Sequence, residues 1–476
     1  MPSSIPLTLT YDDVLLVPKR TPLASRSEAD IRSRFTKHIW LNTPFVSANM
    51  ATVTEHKTAI ALAREGGLGT IHQFGTIAEQ VQEVRRVKRS TSYVVEDPVT
   101  IHVWATLKEA RDLMEQKEVT SLIVMSGEDL VGLLTHRDYT FETDGNRLIR
   151  ELMTPRERLI TADYGITQDA AKDIFRTYKV EKLPLLEQGK LRGLITTKDI
   201  KRMEHWPLAS RDAKGRLMVA GAVGVKDSLE RTEALIRAGV DVIVMDIAHA
   251  HSDLMIKQLR EVKSSFSIDV MVGNIATAAA AHDLVEAGAD GLKVGIGPSP
   301  VCTTRIMSGA GYPQLSAVMN VVSVAKEHDV PVTADGGMKY PGDVVKAIAA
   351  GASSIFSGSF FAGTDEAPGI IIMKDGKRYK RYAGSASYES GHARKERDEG
   401  RQLKENIDVF VEGVSVLVDY KGSVSDVVRG LKKGLQSGIS YCGGRNIEEM
   451  QTNAEFIQIT SSGWVESGSR GMKVME

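Results

Sequence analysis

Only two cysteines occur in 476 residues, Cys302 and Cys442. Two thiols cannot build a disulfide framework or a thiolate metal cluster, and their scarcity fits a reducing compartment. Charge of one sign is also lacking: 60 Lys and Arg stand against 61 Asp and Glu, a formal charge of -1. A chain so balanced has no overall basic excess to drive binding to nucleic acid or to an anionic membrane surface. No apolar run approaches the ~20 residues that span a bilayer. The start, Met1-Pro-Ser-Ser-Ile-Pro6, has neither a basic n-region nor an apolar h-region. The expectation is a cytoplasmic protein with no nucleic-acid and no membrane partner. Disorder is excluded by a 42% hydrophobic content, and the length suits two or three domains.

What is present is a repeated alternation of short apolar runs and amphipathic segments. Buried parallel strands are predicted at Leu217–Val223, Val240–Asp246, Ile268–Gly273, Gly291–Gly295, Val330–Ala334 and Ser354–Gly358. Helix-like stretches separate them at Leu229–Ala238, Thr277–Ala287, Leu315–His328 and Pro341–Ala350. Two further strand candidates, Pro44–Ala48 and Gly67–Ile71, precede residue 90. Eight such strands point to an α/β fold of the closed (β/α)8, or TIM, barrel type.

Residues from about Glu96 to Met203 interrupt this pattern with an internal repeat. Val119-Thr-Ser-Leu-Ile-Val124 matches Val180-Glu-Lys-Leu-Pro-Leu185, and Gly132-Leu-Leu-Thr-His-Arg-Asp138 matches Gly193-Leu-Ile-Thr-Thr-Lys-Asp199, both at an offset of 61. Two copies of one unit pack together to bury what neither buries alone. The expected organisation is a discontinuous barrel, 1–92 and 206–476, around a tandem insert, 93–205, with repeats at about 94–141 and 152–203. The Gly, Thr and Asp spacing resembles the CBS domain. The resemblance implies that the pair binds adenine or guanine nucleotides, with Asp138 and Asp199 contacting ribose.

In a parallel barrel the loops after the strands carry function. One of them runs Val294-Gly-Ile-Gly-Pro-Ser-Pro-Val-Cys302-Thr-Thr-Arg305. Its glycines admit a ligand close to the backbone, and its thiol is flanked by hydroxyls and a cation, the setting of a reactive thiolate. Cys442 has no buried strand leading into it and reads as a core residue. Asp335-Gly336-Gly337 and Gly358-Ser359 end consecutive strands, where glycine amides suit a phosphate. Asp246 is followed by His249 and His251, which are two apart and do not converge on a metal, so Asp246 is expected to bond a polar ligand. Gly363-Thr-Asp-Glu366 offers a carboxylate for proton transfer.

Together, Tyr11-Asp-Asp-Val-Leu-Leu-Val-Pro18, Cys302-Thr-Thr-Arg305, Ala334-Asp-Gly-Gly337, Gly358-Ser359 and Ala362-Gly-Thr-Asp-Glu-Ala-Pro368 resemble the IMP dehydrogenase and GMP reductase family over nearly the full chain. That resemblance implies a TIM barrel with a CBS pair inserted after the second βα unit, assembled as a homotetramer or octamer. It implies that Cys302 attacks C2 of a purine mononucleotide while hydride passes between C2 and a nicotinamide. Thr304 and Glu366 match the proton-donating pair of the reductase, and Asp335, Gly337, Gly358, Ser359, Tyr382 and Glu412 the substrate contacts. Asp246 and Asn274 match cofactor contacts. A monovalent cation, K+, is implied at Gly295, Gly297 and Cys302.

The branch turns on the flap. Dehydrogenases carry Arg-Tyr-Phe there, and nothing of that form lies between Ser387 and Glu412; the nearest candidate is Arg401-Gln402-Leu403. Without that dyad, hydrolysis of the adduct should be slow. Ser47-Ala-Asn-Met50, Gly311-Tyr-Pro-Gln-Leu-Ser-Ala-Val318 and the basic stretch His392-Ala-Arg-Lys-Glu-Arg397 also lean to the reductase, whereas the insert and Asp246-Ile-Ala-His-Ala-His-Ser252 look more like the dehydrogenase. The expected activity is NADPH-dependent reduction of GMP to IMP and ammonia, a purine salvage reaction. The alternatives are NAD-dependent oxidation of IMP to XMP and a non-catalytic purine-nucleotide sensor. Pro300, Ser385 and Gln73 depart from the family pattern: Pro300 replaces a phosphate-contacting serine, Ser385 a methionine near the base, and Gln73 a lysine of short reductases.

Overall fold

The computed structural model describes residues 5–90, 94–96, 98–117, 119–387 and 411–468, apart from the side chains of residues 202 and 203. The chain divides into two compact units, one of Met1–Ser90, Leu208–Asp212 and Leu217–Glu476, the other of Thr91–Pro207 and Ala213–Arg216.

The first unit is a closed parallel barrel of eight strands. They are β1 (Phe45–Ser47), β2 (Leu68–Ile71), β3 (Val219–Val223), β4 (Val242–Asp246), β5 (Asp269–Ile275), β6 (Gly291–Val294), β7 (Val332–Asp335) and β8 (Ser354–Ser357). Val46 pairs with Leu68 on one side and with Phe356 on the other, which closes the ring. Each strand reads as an apolar run because both its faces are covered, by the barrel interior and by a helix. Among the described residues, the eight longest helices of this unit are α1 (His56–Arg64), α2 (Ile77–Ser90), α3 (Ser228–Ala238), α4 (Asp253–Ser265), α5 (Ala278–Glu286), α6 (Gln314–Ala325), α7 (Pro341–Ala349) and α8 (Val424–Tyr441). Their starts follow from local chemistry. Ser252, Thr277 and Ser423 each turn a hydroxyl to an amide of the first turn.

The sequence pattern contains all eight barrel strands, with ends that differ by a residue or two. It does not reveal the antiparallel sheet that follows β8, made of Ile372–Lys374, Lys377–Ala383 and Ser415–Asp419. Its central strand reads Lys-Arg-Tyr-Lys-Arg-Tyr-Ala, too charged to look buried. Lys380 is nevertheless 2% exposed, because its ammonium donates to the carbonyls of Thr364 and Ala367 at 2.8 and 2.5 Å.

The second unit carries the repeat into three dimensions. Ser121–Ser126 and Asp129–Thr135 recur as Lys182–Glu187 and Lys190–Thr196, an offset of 61 at every bound. The bulge between Val124 and Met125 recurs between Leu185 and Leu186. The copies exchange strands: Val94–Val95, at the start of the first copy, pairs with the second copy's sheet, and Thr154–Pro155, at the start of the second, pairs with the first copy's. Ile123, Leu130, Leu133 and Leu194, drawn from both copies, form a shared buried cluster.

Candidate active site

The loop after β6 is shaped by two glycines that no other residue replaces. Gly295 has φ +154°, and a Cβ there would lie 2.1 Å from the Asp335 carbonyl oxygen; Gly297 has φ +83°, and a Cβ there would lie 2.5 Å from Arg305 Cγ. The Arg305 guanidinium donates to the carbonyls of Ile296, at 3.3 Å, and Tyr312. The cation that flanks the thiol in the sequence therefore ties the loop's two ends together.

Cys302 is half-buried and bonds forward along a chain of side chains. Its Sγ lies 3.2 Å from Thr304 Oγ1, which donates to Glu412 Oε2 at 2.9 Å. The Thr303 amide donates to the Glu412 carbonyl at 2.8 Å, and Cys302 forms a β-bridge with Gly413. The carboxylate beside Thr304 is thus Glu412, and the expectation that Glu366 stands there is corrected. Glu366 Oε2 instead accepts the Val424 amide at 2.9 Å, at the start of α8. Unpaired amides and the positive end of the helix draw a carboxylate to that place. In the sequence Glu366 stands close to the phosphate-like turn, whereas Glu412 comes from 110 residues beyond Cys302.

These groups open on a cavity of about 320 Å³ at the carboxyl ends of the strands, within the range of small-ligand sites. It brings together Cys302, Thr304, Glu412, Asp335, Gly358, Ser359, Tyr382, Asp246, Asn274, Gly295 and Gly297. Gly337 lines a smaller adjoining cavity of about 210 Å³, shared with Ser359, Pro298, Pro300 and Lys421. The two phosphate-like turns therefore meet at Gly337 and Ser359, with Pro300 in the wall. Tyr382 is buried, and burial pushes its phenol well above the ordinary tyrosine range. A Cβ on Gly358 would lie 2.5 Å from the Tyr382 hydroxyl, so the glycine makes room for it.

Sequence reasoning missed the residue that organises the polar floor. Lys293, on β6, is fully buried and donates to Asp335 Oδ2 at 2.8 Å, Asp246 Oδ1 at 3.3 Å and Asn274 Oδ1. Desolvation pulls its pKa down, but Asp246 and Asp335 outweigh it, so the ammonium is held above the usual lysine value. Asn274 Nδ2 also donates to Asp335 Oδ2 at 2.8 Å, and Asn49 Nδ2 to Asp246 Oδ2 at 2.6 Å. Gln73 Nε2 donates to the Asp246 carbonyl at 3.1 Å. A lysine inside the apolar run Leu292-Lys-Val294 was the available signal.

The remaining expected residues lie elsewhere or are otherwise engaged. Gly295, expected as a cation ligand, turns its carbonyl to Asn274 Nδ2 at 2.7 Å. His251 pairs with Asp283 at 2.9 Å. Asp138 and Asp199 belong to the second unit, where Asp138 Oδ2 accepts from the Thr135 amide and hydroxyl at 2.7 and 2.8 Å and Asp199 Oδ2 from the Thr196 hydroxyl at 2.5 Å. The flap candidate at 401–403 and the basic stretch at 392–397 fall outside the described residues. Among the described residues, no helix is long and apolar enough to cross a membrane.

Comparison with known proteins places this geometry. A family model described as the IMP dehydrogenase / GMP reductase domain matches residues 8–470. The inosine-5'-monophosphate dehydrogenase of Nitrosopumilus maritimus is 46% identical over 473 residues, covering 98% of this chain and 99% of its own. The GMP reductase of Leishmania major is 44% identical over 481 residues, covering 98% of this chain and 97% of its own. Among solved structures, the GMP reductase of Trypanosoma brucei in complex with guanosine 5'-monophosphate superposes with a TM-score of 0.88 at 40% identity, covering 99% of each chain. A thiol at the mouth of a TIM barrel, a hydroxyl and a carboxylate bonded in line beside it and these full-length likenesses lead to one assignment: the chain belongs to the IMP dehydrogenase / GMP reductase family.

Proposed function

We propose that this enzyme reduces GMP to IMP and ammonia at the expense of NADPH. The observation that carries the branch is the flap sequence: no Arg-Tyr dyad stands between Ser387 and Glu412 to activate water on the adduct. What the site retains is the Cys302–Thr304–Glu412 chain, which suits proton delivery to a leaving amine.

The steps follow from that chain. The thiol proton passes through the Thr304 hydroxyl to Glu412, and Sγ adds to C2 of GMP. The bond from C2 to the exocyclic nitrogen then breaks, and the amine leaves as ammonia with the proton returned by Glu412. Bound NADPH supplies the hydride that C2 next receives. The C2–S bond breaks, sulfur keeps its electron pair, and IMP is released from a regenerated thiolate. The covalent adduct divides one difficult substitution into two easier steps. Asp335 holds the ribose, and Gly337, Gly358, Ser359 and Tyr382 hold the phosphate. Asp246 and Asn274 face the cofactor half, where Gly224 keeps the floor open: a Cβ there would lie 2.8 Å from Gln73 Oε1.

Purified protein given GMP and NADPH is expected to oxidise NADPH and release ammonia. Formation of XMP from IMP and NAD, with GMP inert, overturns the reading in favour of the dehydrogenase. The exchanged strands and the paired Asp138 and Asp199 support a second, regulatory role for the duplicated unit as a CBS pair that binds adenine or guanine nucleotides. Calorimetry on the full chain is expected to detect ATP or GTP binding that Asp138→Ala or Asp199→Ala weakens; no heat from either nucleotide overturns it.

A further inference from the structure

Lys293 lies between Leu292 and Val294, both wholly buried, in a strand whose closure of the barrel needs only an apolar side chain. A buried ammonium is costly: its desolvation is offset only when every donor finds an acceptor, and a well-packed apolar residue is often no less stable. Lys293 meets that condition with three acceptors, Asp246 on β4, Asn274 on β5 and Asp335 on β7. Its ammonium also stands 4.9 Å from the centre of the Phe356 ring on β8. One cation on β6 thus touches four other strands, and all its polar partners line the ligand cavity.

The acceptors belong to different halves of that cavity. On the reading above, Asp335 serves the substrate and Asp246 the cofactor, and Asn274 bonds both Lys293 and Asp335. Two carboxylates that share one ammonium are not set independently, because a shift of either changes how the cation is divided between them. Asn49 and Gln73 fix Asp246 from the loops after β1 and β2, so this side of the balance is anchored.

We propose that Lys293 is a positioning residue that couples the two halves of the pocket: by sharing its ammonium between Asp246 and Asp335, it makes occupation by one ligand change the affinity for the other. The proposal rests on the assignment of those carboxylates to cofactor and substrate, and not on which branch of the family the enzyme follows.

The test is calorimetry of GMP binding to the full-length protein with and without saturating NADP+, repeated with XMP and NAD; neither pair has a hydride to transfer, so both bind without turnover. The ratio of the two dissociation constants is the coupling factor, and for the native protein it is expected in the ~5–150-fold range. Lys293→Met is expected to weaken each ligand roughly tenfold or more, since it leaves two carboxylates without their cation, and to bring the factor to about one. Lys293→Arg is expected to retain it. Weaker binding with an undiminished factor makes Lys293 merely structural and overturns the proposal, as does a native factor of one with both ligand pairs. If Lys293→Met does not fold, Asp246→Asn must weaken GMP and Asp335→Asn must weaken NADP+; effects confined to each residue's own half overturn it. A protein that turns over IMP with NAD and ignores GMP defeats the branch assignment alone, because coupling is then read with XMP and NAD.

Discussion

In the barrel, Asp335 meets Lys293 across 42 residues of chain and Thr304 meets Glu412 across 108, whereas in the duplicated unit Asp138 and Asp199 close on Thr135 and Thr196 three residues back. The first arrangement assembles polar groups from strands and loops far apart in the chain around one cavity. The second is a local turn at the start of a helix, closed by residues three apart in the sequence. The difference separates a site built for chemistry from one whose two copies are built alike. In the barrel each carboxylate has a distinct partner, so each loss has a distinct consequence. In the repeat, two equivalent positions should respond in parallel.

The sharpest break between the two regions is expected from Cys302→Ala, which should reduce turnover by on the order of 10⁴-fold or more while leaving nucleotide binding to the second unit intact. Steady-state rates and calorimetry on one preparation check both halves. A residual rate near the native one removes covalent chemistry from the account.

Next in size is the contrast between the two glutamates. Glu412→Gln should lower kcat by roughly 10²–10⁴-fold, the usual range for general acid–base groups. Glu366→Gln should act mainly on stability, lowering it by about 1 kcal/mol through the weakened start of α8. Rates and thermal unfolding measured side by side decide which carboxylate serves the thiol.

A smaller effect is expected from Gly358→Ala. The new methyl would lie 2.5 Å from the Tyr382 hydroxyl and 2.8 Å from Met50 Sδ. Either tyrosine or backbone must shift, so the KM for the nucleotide should rise roughly tenfold with a lesser change in kcat. Smallest of all, Thr135→Ala and Thr196→Ala should each lower the stability of the second unit by about 1 kcal/mol and leave basal turnover unchanged. Thermal unfolding checks the first effect and initial rates the second; unequal losses would show that the two copies are not held alike.

How far the sequence could be read follows the same division. The barrel strands were legible because each is a short run buried on both faces, and the repeat because Gly, Thr and Asp recur at one offset in locally closed turns. Cys302 was legible because a tight Gly/Pro loop displays it. Lys293 was hidden by its own setting: its partners lie on strands far away in the chain, and a single lysine in an apolar run gives no direction. Glu412 is legible as a substrate contact but not as Thr304's partner, since nothing local brings it to that hydroxyl. The charged strand Lys377–Ala383 escaped for a related reason, as Lys380 is satisfied by carbonyls that only the folded chain supplies.

The central claim, that this barrel forms a cysteine adduct at purine C2 and resolves it by reduction, is tested most directly by rapid quenching after mixing with GMP and NADPH. The account predicts a purine nucleotide trapped on the peptide containing Cys302, with ammonia released one-to-one with NADPH oxidised over the full turnover. An adduct that forms only from IMP and NAD, with NADPH untouched in the presence of GMP, would contradict it.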